Sequence, residues 1–326
     1  MNGDEARRFG EKSLADVQVT DLNSVLKSLR LIHPSTTNQS TYFSIPLLSS
    51  LLPPSPSLPI LSLVSPPTSH QPSGSGKTSL VTLIIATALS APTSSNAIIL
   101  IDPLHHFSIP LLASTLIQIF SSTLHPAPSP SALKEMVRSA LSHLHIFHPP
   151  TFPALISTLR SLPTYLFNPT AHHSTHRSIH SLILEDTDAL LPTLPLTSTP
   201  ASASATLTFR LLNLSKLLSC ALVTTSRSMS ARYLRPAMPT WGRDVGETRV
   251  VLRKVEVKKF GAGSSVEEME KEKGERWGVV SGGWCEGWRV GGGVQEGGTG
   301  GGGEGRGFLI KINDQGVEIA EKKKKK

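Results

Sequence analysis

Residues 71–78 read Gln71-Pro72-Ser73-Gly74-Ser75-Gly76-Lys77-Thr78, a glycine-rich turn that ends in Lys-Thr immediately before an apolar segment. Those residue types at that spacing are suited to holding a phosphate chain. Gly74 and Gly76 let successive backbone N–H groups turn inward on an anion, and a helix beginning near Lys77 adds its positive end. The Lys77 ammonium reaches the outer phosphates and the Thr78 hydroxyl is placed to ligate Mg²⁺. The candidate cradle is Ser73, Gly74, Ser75, Gly76, Lys77, Thr78 and Ser79. One element of the full pattern is missing, because its leading glycine is Gln71 here. A flexible Ser/Gly turn that happens to contain Lys-Thr is the competing reading; the strand-like run before the turn and the helix-like run after it favour the phosphate cradle.

A phosphate cradle needs a carboxylate at the end of a neighbouring strand to hold the cation. Between Leu31 and Thr206 the chain carries ten charged residues, five basic and five acidic, so each acid there is informative. Three of the five acids, Glu185, Asp186 and Asp188, follow the apolar run Leu182-Ile183-Leu184. Glu185 or Asp186 is therefore the expected partner of Thr78 at Mg²⁺. The ordinary alternative for such acids is a solvated strand end or helix cap.

The elements that must position these groups follow from apolar periodicity. Stretches 60–64, 97–101, 144–148, 178–184 and 220–225 predict strands, and the continuous apolar run at 97–101 is typical of one buried on both faces of a parallel sheet. Between and around them, residues 77–89, 108–124, 131–142, 152–162 and 207–218 predict helices, with Ser108 as an N-cap and Pro110 in the first turn it opens. Strand and helix alternate, which predicts an α/β fold with a mainly parallel sheet flanked by helices. A β-branched strand is expected at 248–257, and 308–312 with 317–319 around Asn313-Asp314-Gln315-Gly316 reads as a C-terminal antiparallel hairpin. Residues 65–70 separate the first strand from the cradle, which predicts a bulged or distorted loop.

The remaining stretches divide as an N-terminal helical segment at 1–32 and a Pro/Ser-rich linker at 33–59. A core at 60–260 is followed by a charged and Gly-rich disordered insertion at 261–307, the hairpin at 308–320, and a basic tail at 321–326. The insertion is assigned on composition: 278–307 holds fifteen of the chain's 25 glycines. Two cysteines, Cys220 and Cys285, give neither a disulfide framework nor metal-ligand spacing, and the numerous histidines show no spacing that converges on a metal, so no structural metal is expected. Met1 to Arg8 is polar and charged, and no apolar stretch is long enough to span a bilayer, so a soluble intracellular chain without membrane contact is expected. The net charge of +8 owes five charges to Lys322–Lys326, which reads as a nuclear localisation element, a nucleic-acid tail or a solvated end.

Taken in order, the phosphate loop, Ile99-Leu100-Ile101-Asp102 followed by His105-His106-Phe107, the Leu182 to Glu185 strand, the Ala221-Leu222-Val223-Thr224-Thr225 strand and the closing hairpin resemble successive landmarks of a RecA-type recombinase core. The likeness is strongest to the short eukaryotic recombinase paralogues of the X-ray repair cross-complementing protein two type, through Asp102 and His106-Phe107. It covers roughly residues 60–260 and 308–319. The resemblance implies a RecA-like P-loop NTPase core, ATP and Mg²⁺ as cofactors, a nuclear location, and a role in recombinational DNA repair through assembly with other recombinase paralogues.

Within that resemblance the catalytic positions are altered. The acid that orients the attacking water corresponds to Leu104, whose alkyl side chain cannot accept a proton. The glutamine that senses the outer phosphate corresponds to Ser226. With Gln71, these changes imply a protein that binds ATP but turns it over slowly or not at all. The stretch 226–247 occupies the place of a DNA-facing loop, where Arg227, Arg232, Tyr233, Arg235, Trp241 and Arg243 are candidate contacts to single-stranded DNA. A disordered basic loop, or one that folds onto a protein partner, is the competing reading. The competing function is an active P-loop enzyme, either a DNA-dependent ATPase or a small-molecule kinase; the scattered Arg138, Arg160 and Arg177 form no clustered kinase lid.

Overall fold

The computed structural model describes residues 42–52, 58–67, 74–91, 95–124, 126, 128–230, 234–242, 245–255, 257, 263, 265–290, 307–313 and 315–321. The expected N-terminal helix at 1–32, Gln71 and Ser73 of the loop, the DNA-contact candidates Arg232, Tyr233 and Arg243, and the basic tail lie outside the described residues.

Six consecutive apolar stretches form parallel strands: β1 (Ile60–Ser65), β2 (Asn96–Ile101), β3 (Leu144–Phe147), β4 (Ser178–Leu184), β5 (Ala221–Arg227) and β6 (Glu247–Lys254). They lie in the order β3-β2-β4-β5-β1-β6, every neighbouring pair parallel. The sheet continues antiparallel from β6 through β7 (Cys285–Val290), β8 (Gly307–Asn313) and β9 (Gly316–Glu321). The expected mixed α/β architecture, mostly parallel with a closing antiparallel hairpin, is present.

Strand alternation sends side chains into two apolar layers. Ile98 and Leu100 of β2 face one layer, while Ile99 and Ile101 face the other. The first layer is filled by α2 (Lys77–Ser90) with α3 (Ile109–Thr123) and α4 (Pro130–Leu141); the second by α5 (Phe152–Leu166) and α6 (Pro200–Leu218). Almost every residue of α2 from Leu80 to Leu89 is buried, as expected of a helix that is apolar all round. Ser108 caps α3 as expected, accepting a hydrogen bond from the Leu111 N–H. No described helix is long and apolar enough to cross a membrane.

The structure departs from the sequence expectations in four places. Part of the 33–59 linker joins the core: Phe43, Ile45, Leu48, Leu51 and Leu52 are buried around the short helix α1 (Pro46–Ser49), because their apolar side chains join the first apolar layer. Helix α5 runs past Pro163 to Leu166, since Leu162 and Leu166 both bury against the second layer. Helix α6 begins seven residues earlier than its apolar period, at a capping box between Thr199 and Ser202 with Pro200 at the first position.

The largest correction concerns the 261–307 insertion. Its charged part is α7 (Val266–Ser281), opened by a capping box between Ser265 and Glu268, and Cys285–Val290 is strand β7, paired with both β6 and β8. Glycine composition hid this strand, yet Gly287 is required there: a Cβ at that position would lie 2.5 Å from Phe308 Cζ and 2.8 Å from Leu252. The missing side chain lets the Phe308 ring close over the strand.

Two substitutions test these assignments. Gly287→Ala should cost about 1–3 kcal/mol by overpacking, read by denaturant unfolding of the full chain; a neutral result would remove β7 from the sheet. Phe43→Ala should cost about 3–5 kcal/mol, whereas a true linker residue would cost nothing.

Candidate functional site

The carboxyl ends of β1, β4 and β5 open onto a cleft of about 450 Å³, the position where parallel sheets bind ligands. Gly74 to Ser79 form one wall, and Leu104, His106, Asp186, Asp188 and Arg227 form much of the rest. Gly76 is the residue before α2 and adopts φ +84°, and a Cβ on it would lie 3.0 Å from Cβ and Sγ of Cys285. Both facts demand glycine. The turn that lines the cleft is thus seated on β7, the strand that composition concealed.

Lys77, the first residue of α2, is largely buried. Its Nζ donates to Ser65 Oγ at 3.0 Å and lies 3.9 Å from Asp186 Oδ1. Burial pulls its pKa below the usual lysine range, and the nearby Asp186 and Asp188 carboxylates oppose that shift. Asp186 holds a left-handed backbone conformation, φ +43°, fixed by its N–H donating to Thr225 Oγ1 at 2.8 Å. Its second carboxylate oxygen is 3.3 Å from Nδ1 of His106, so one carboxylate bridges lysine and imidazole. Asp188 does not face Lys77 directly; its Oδ1 accepts the Arg227 backbone N–H at 2.9 Å.

Glu185 is fully buried behind the cleft. Neither carboxylate oxygen has a formed hydrogen bond among the described residues, although the Thr78 side chain lies close enough to favour the charged form. Burial pushes the Glu185 pKa up to about 8, and the neighbouring Asp186 and Asp102 carboxylates push the same way. Asp102 is also fully buried, with Oδ2 accepting from the Phe107 N–H at 2.9 Å and Oδ1 unpartnered among the described residues. A buried carboxyl with two open oxygens beside a threonine hydroxyl fits a divalent cation that arrives with phosphate and keeps several waters. Among the described residues no group of three His, Cys, Asp or Glu side chains converges on one point. That pattern suits a cation held by one or two protein groups and the phosphates rather than a closed cage.

The sequence candidates therefore separate. Gly74, Ser75, Gly76, Lys77, Thr78 and Ser79 line the cleft together with Asp186, and Glu185 stands behind Thr78. Leu104 is 43% exposed at the cleft, with no proton-accepting atom on its side chain. Ser226 is buried and does not line the cleft, while Arg227 one position later does. Trp241 is unsuited to stacking on a base: it packs on the second apolar layer and its Nε1 donates to Ser62 Oγ at 3.1 Å. Arg235 is exposed outside the cleft.

Ser65, His106 and Cys285 were not singled out as site residues by sequence. Ser65 sits where the apolar run ends in a serine, which reads as a strand terminus. Cys285 comes from a stretch with no pattern linking it to the loop. The histidines at the start of β3 are structural: His143, just before the strand, pairs through Nδ1 with Ser174 Oγ at 2.8 Å, and His145 within it pairs through Nδ1 with Tyr165 Oη at 3.0 Å. Burial lowers both histidines to about 4, so they stay neutral near pH 7.

Glu185 makes stability depend on pH. Its folded value of about 8 exceeds the ordinary carboxylate value of 4.5, so the folded chain retains a proton that the unfolded chain releases. This contribution is complete below about pH 4.5 and is lost as pH rises toward 8. In the absence of nucleotide and divalent cation, Glu185→Gln should flatten the fall in stability across that window and leave the variant the more stable at pH 8. Parallel stability–pH curves for the two proteins would contradict this environment for Glu185.

No protein-family model and no curated protein matches the chain, so its functional reading rests on this geometry and on the sequence landmarks.

Proposed function

We propose that the cleft binds ATP with Mg²⁺ and that the chain is an accessory recombinase paralogue of the RecA type, acting in homologous-recombination DNA repair by assembly with other paralogues and single-stranded DNA in the nucleus. The observation that carries the reading is the meeting of Thr78 and buried Glu185 behind a glycine turn, with Lys77 beside them and Leu104 at the position expected to orient water. The order of the landmarks behind the family resemblance also supports it: the loop comes after β1, Asp102 directly follows β2, Glu185 directly follows β4 and Thr225 lies in β5.

In this reading the backbone N–H groups of residues 74–79 and the start of α2 hold the phosphates. Lys77 neutralises the outer end of the chain, and Asp186 keeps the ammonium in place. Thr78 and Glu185 would hold Mg²⁺, which supplies charge neutralisation between the phosphate oxygens. Leu104 leaves the attacking water without a proton acceptor, and loss of such a group typically costs about 10²- to 10⁴-fold in rate. Binding uses other atoms and survives this loss. The chain thereby acts as a nucleotide-dependent or nucleotide-independent scaffold rather than as a motor.

Purified protein should show negligible ATP turnover, with or without single-stranded DNA, and affinity purification from the source cell should recover recombination proteins with both wild type and Lys77→Ala. Turnover at the rate of an active recombinase, abolished by Lys77→Ala, would overturn the non-catalytic assignment. Recovery of no recombination protein by either form would overturn the paralogue assignment.

A further inference from the structure

We infer that Arg227 reads the outermost phosphate of the bound nucleotide, so that the site discriminates nucleoside triphosphate from diphosphate through binding alone. This inference rests on the nucleotide reading of the cleft. From sequence, Arg227 is grouped with the DNA-contact candidates, but its position in the fold is different.

Arg227 is the last residue of β5 and pairs in register with Ser65, the last residue of β1. Ser65 is the residue whose hydroxyl accepts from the Lys77 ammonium at 3.0 Å. The β1–β5 register therefore sets Arg227 beside the end of the cleft that Lys77 occupies, and its positive charge lowers the Lys77 pKa further. The backbone at this point is anchored, because the Arg227 N–H donates to Asp188 Oδ1 at 2.9 Å and the adjacent Ser228 N–H donates to the Ser65 carbonyl at 2.8 Å. The side chain is exposed and lines the cleft, and its guanidinium has no hydrogen bond or ion pair among the described residues.

Holding two cations side by side is unfavourable without an anion between them. Asp186 serves Lys77 and His106, and Asp188 spends an oxygen on the Arg227 backbone, which leaves the guanidinium itself unserved. A terminal phosphate next to Lys77 supplies the missing charge and matches the planar donor fork of arginine. A diphosphate lacks that phosphate and would forgo the contact. Ser226, at the position where the family resemblance places a sensor, is buried outside the cleft, and the adjacent residue on the strand takes its place.

The test is titration calorimetry of the full chain with Mg²⁺ and either ADP or adenylyl imidodiphosphate, a triphosphate analogue that is not hydrolysed. Wild type should prefer the triphosphate, and Arg227→Ala should reduce that preference by about 10- to 100-fold while leaving ADP affinity within about twofold. Arg227→Lys should restore part of the preference, and Arg138→Ala, an exposed arginine on α4, should leave it unchanged as a control for net charge. An unchanged triphosphate-to-diphosphate ratio in Arg227→Ala, or equal loss of both nucleotides, overturns the inference while the nucleotide site stands. Loss of single-stranded DNA binding with an unchanged ratio returns Arg227 to the DNA-facing loop. Failure of wild type to bind either nucleotide overturns the nucleotide reading itself.

Discussion

A largely buried ammonium at the start of a helix is the constraint to which the surrounding structure answers. Lys77 has lost most of its water, and an uncompensated buried charge costs several kcal/mol. Compensation comes from the end of β1, through Ser65, and from the end of β4, through Asp186. These two strands are not neighbours; β5 stands between them, so one side chain links the outer two of three adjacent strand ends. Asp186 reaches Lys77 with its backbone in the left-handed region, and that conformation is held in turn by Thr225 of β5. The polar rim is thus one connected network across β1, β4 and β5, set on a sheet whose interior is aliphatic.

The antiparallel half of the sheet has its own part in this arrangement. Gly76 meets the side chain of Cys285, which ties the phosphate-facing turn to β7, and β7 is held between β6 and β8. The C-terminal strands are therefore not an appendix to the parallel core. They supply the floor on which the turn rests, and Ile312 of β8 reaches the cleft itself.

The parallel core was legible because its central strands are rich in buried aliphatic residues, with β1 and β2 buried along their whole length; Ser178–Leu184 and the Ser108 cap were placed to the residue. The start of α2 at Lys77 and the left-handed Gly76 before it were legible because a glycine next to a helix-forming apolar run marks a helix boundary. What was hidden has physical causes. β7 carries Cys285, Gly287 and Trp288 in place of β-branched residues, and its glycine serves the neighbouring Phe308 ring rather than a flexible chain. Trp241 and Arg227 belong to one basic, aromatic stretch in sequence, yet β5 continues two residues beyond Thr225. That extension carries Arg227 to the cleft, while Trp241 folds back onto Ser62. Composition reports how a stretch could behave; only strand register decides which side chains of it face a ligand.

On the proposed reading, the site separates the groups that would hold an anion from those that would make it react. Holding would depend on backbone N–H groups and a lysine, both anchored by hydrogen bonds or packing, and on a cation ligand, Glu185, buried beside them. Reaction depends on a side chain at the cleft mouth, where Leu104 contributes no proton-accepting atom and little packing. Loss of the second kind of group leaves the sheet, the turn and the buried lysine unaffected, whereas loss of the first disturbs the core. On the proposed reading, a chain released from the need for turnover would keep its phosphate cradle for structural reasons even where nucleotide no longer drives work. The surviving question for such a site is discrimination, and discrimination requires a charge that distinguishes three phosphates from two. Arg227, rigid in its backbone and unserved in its guanidinium, is the group in this cleft with that property.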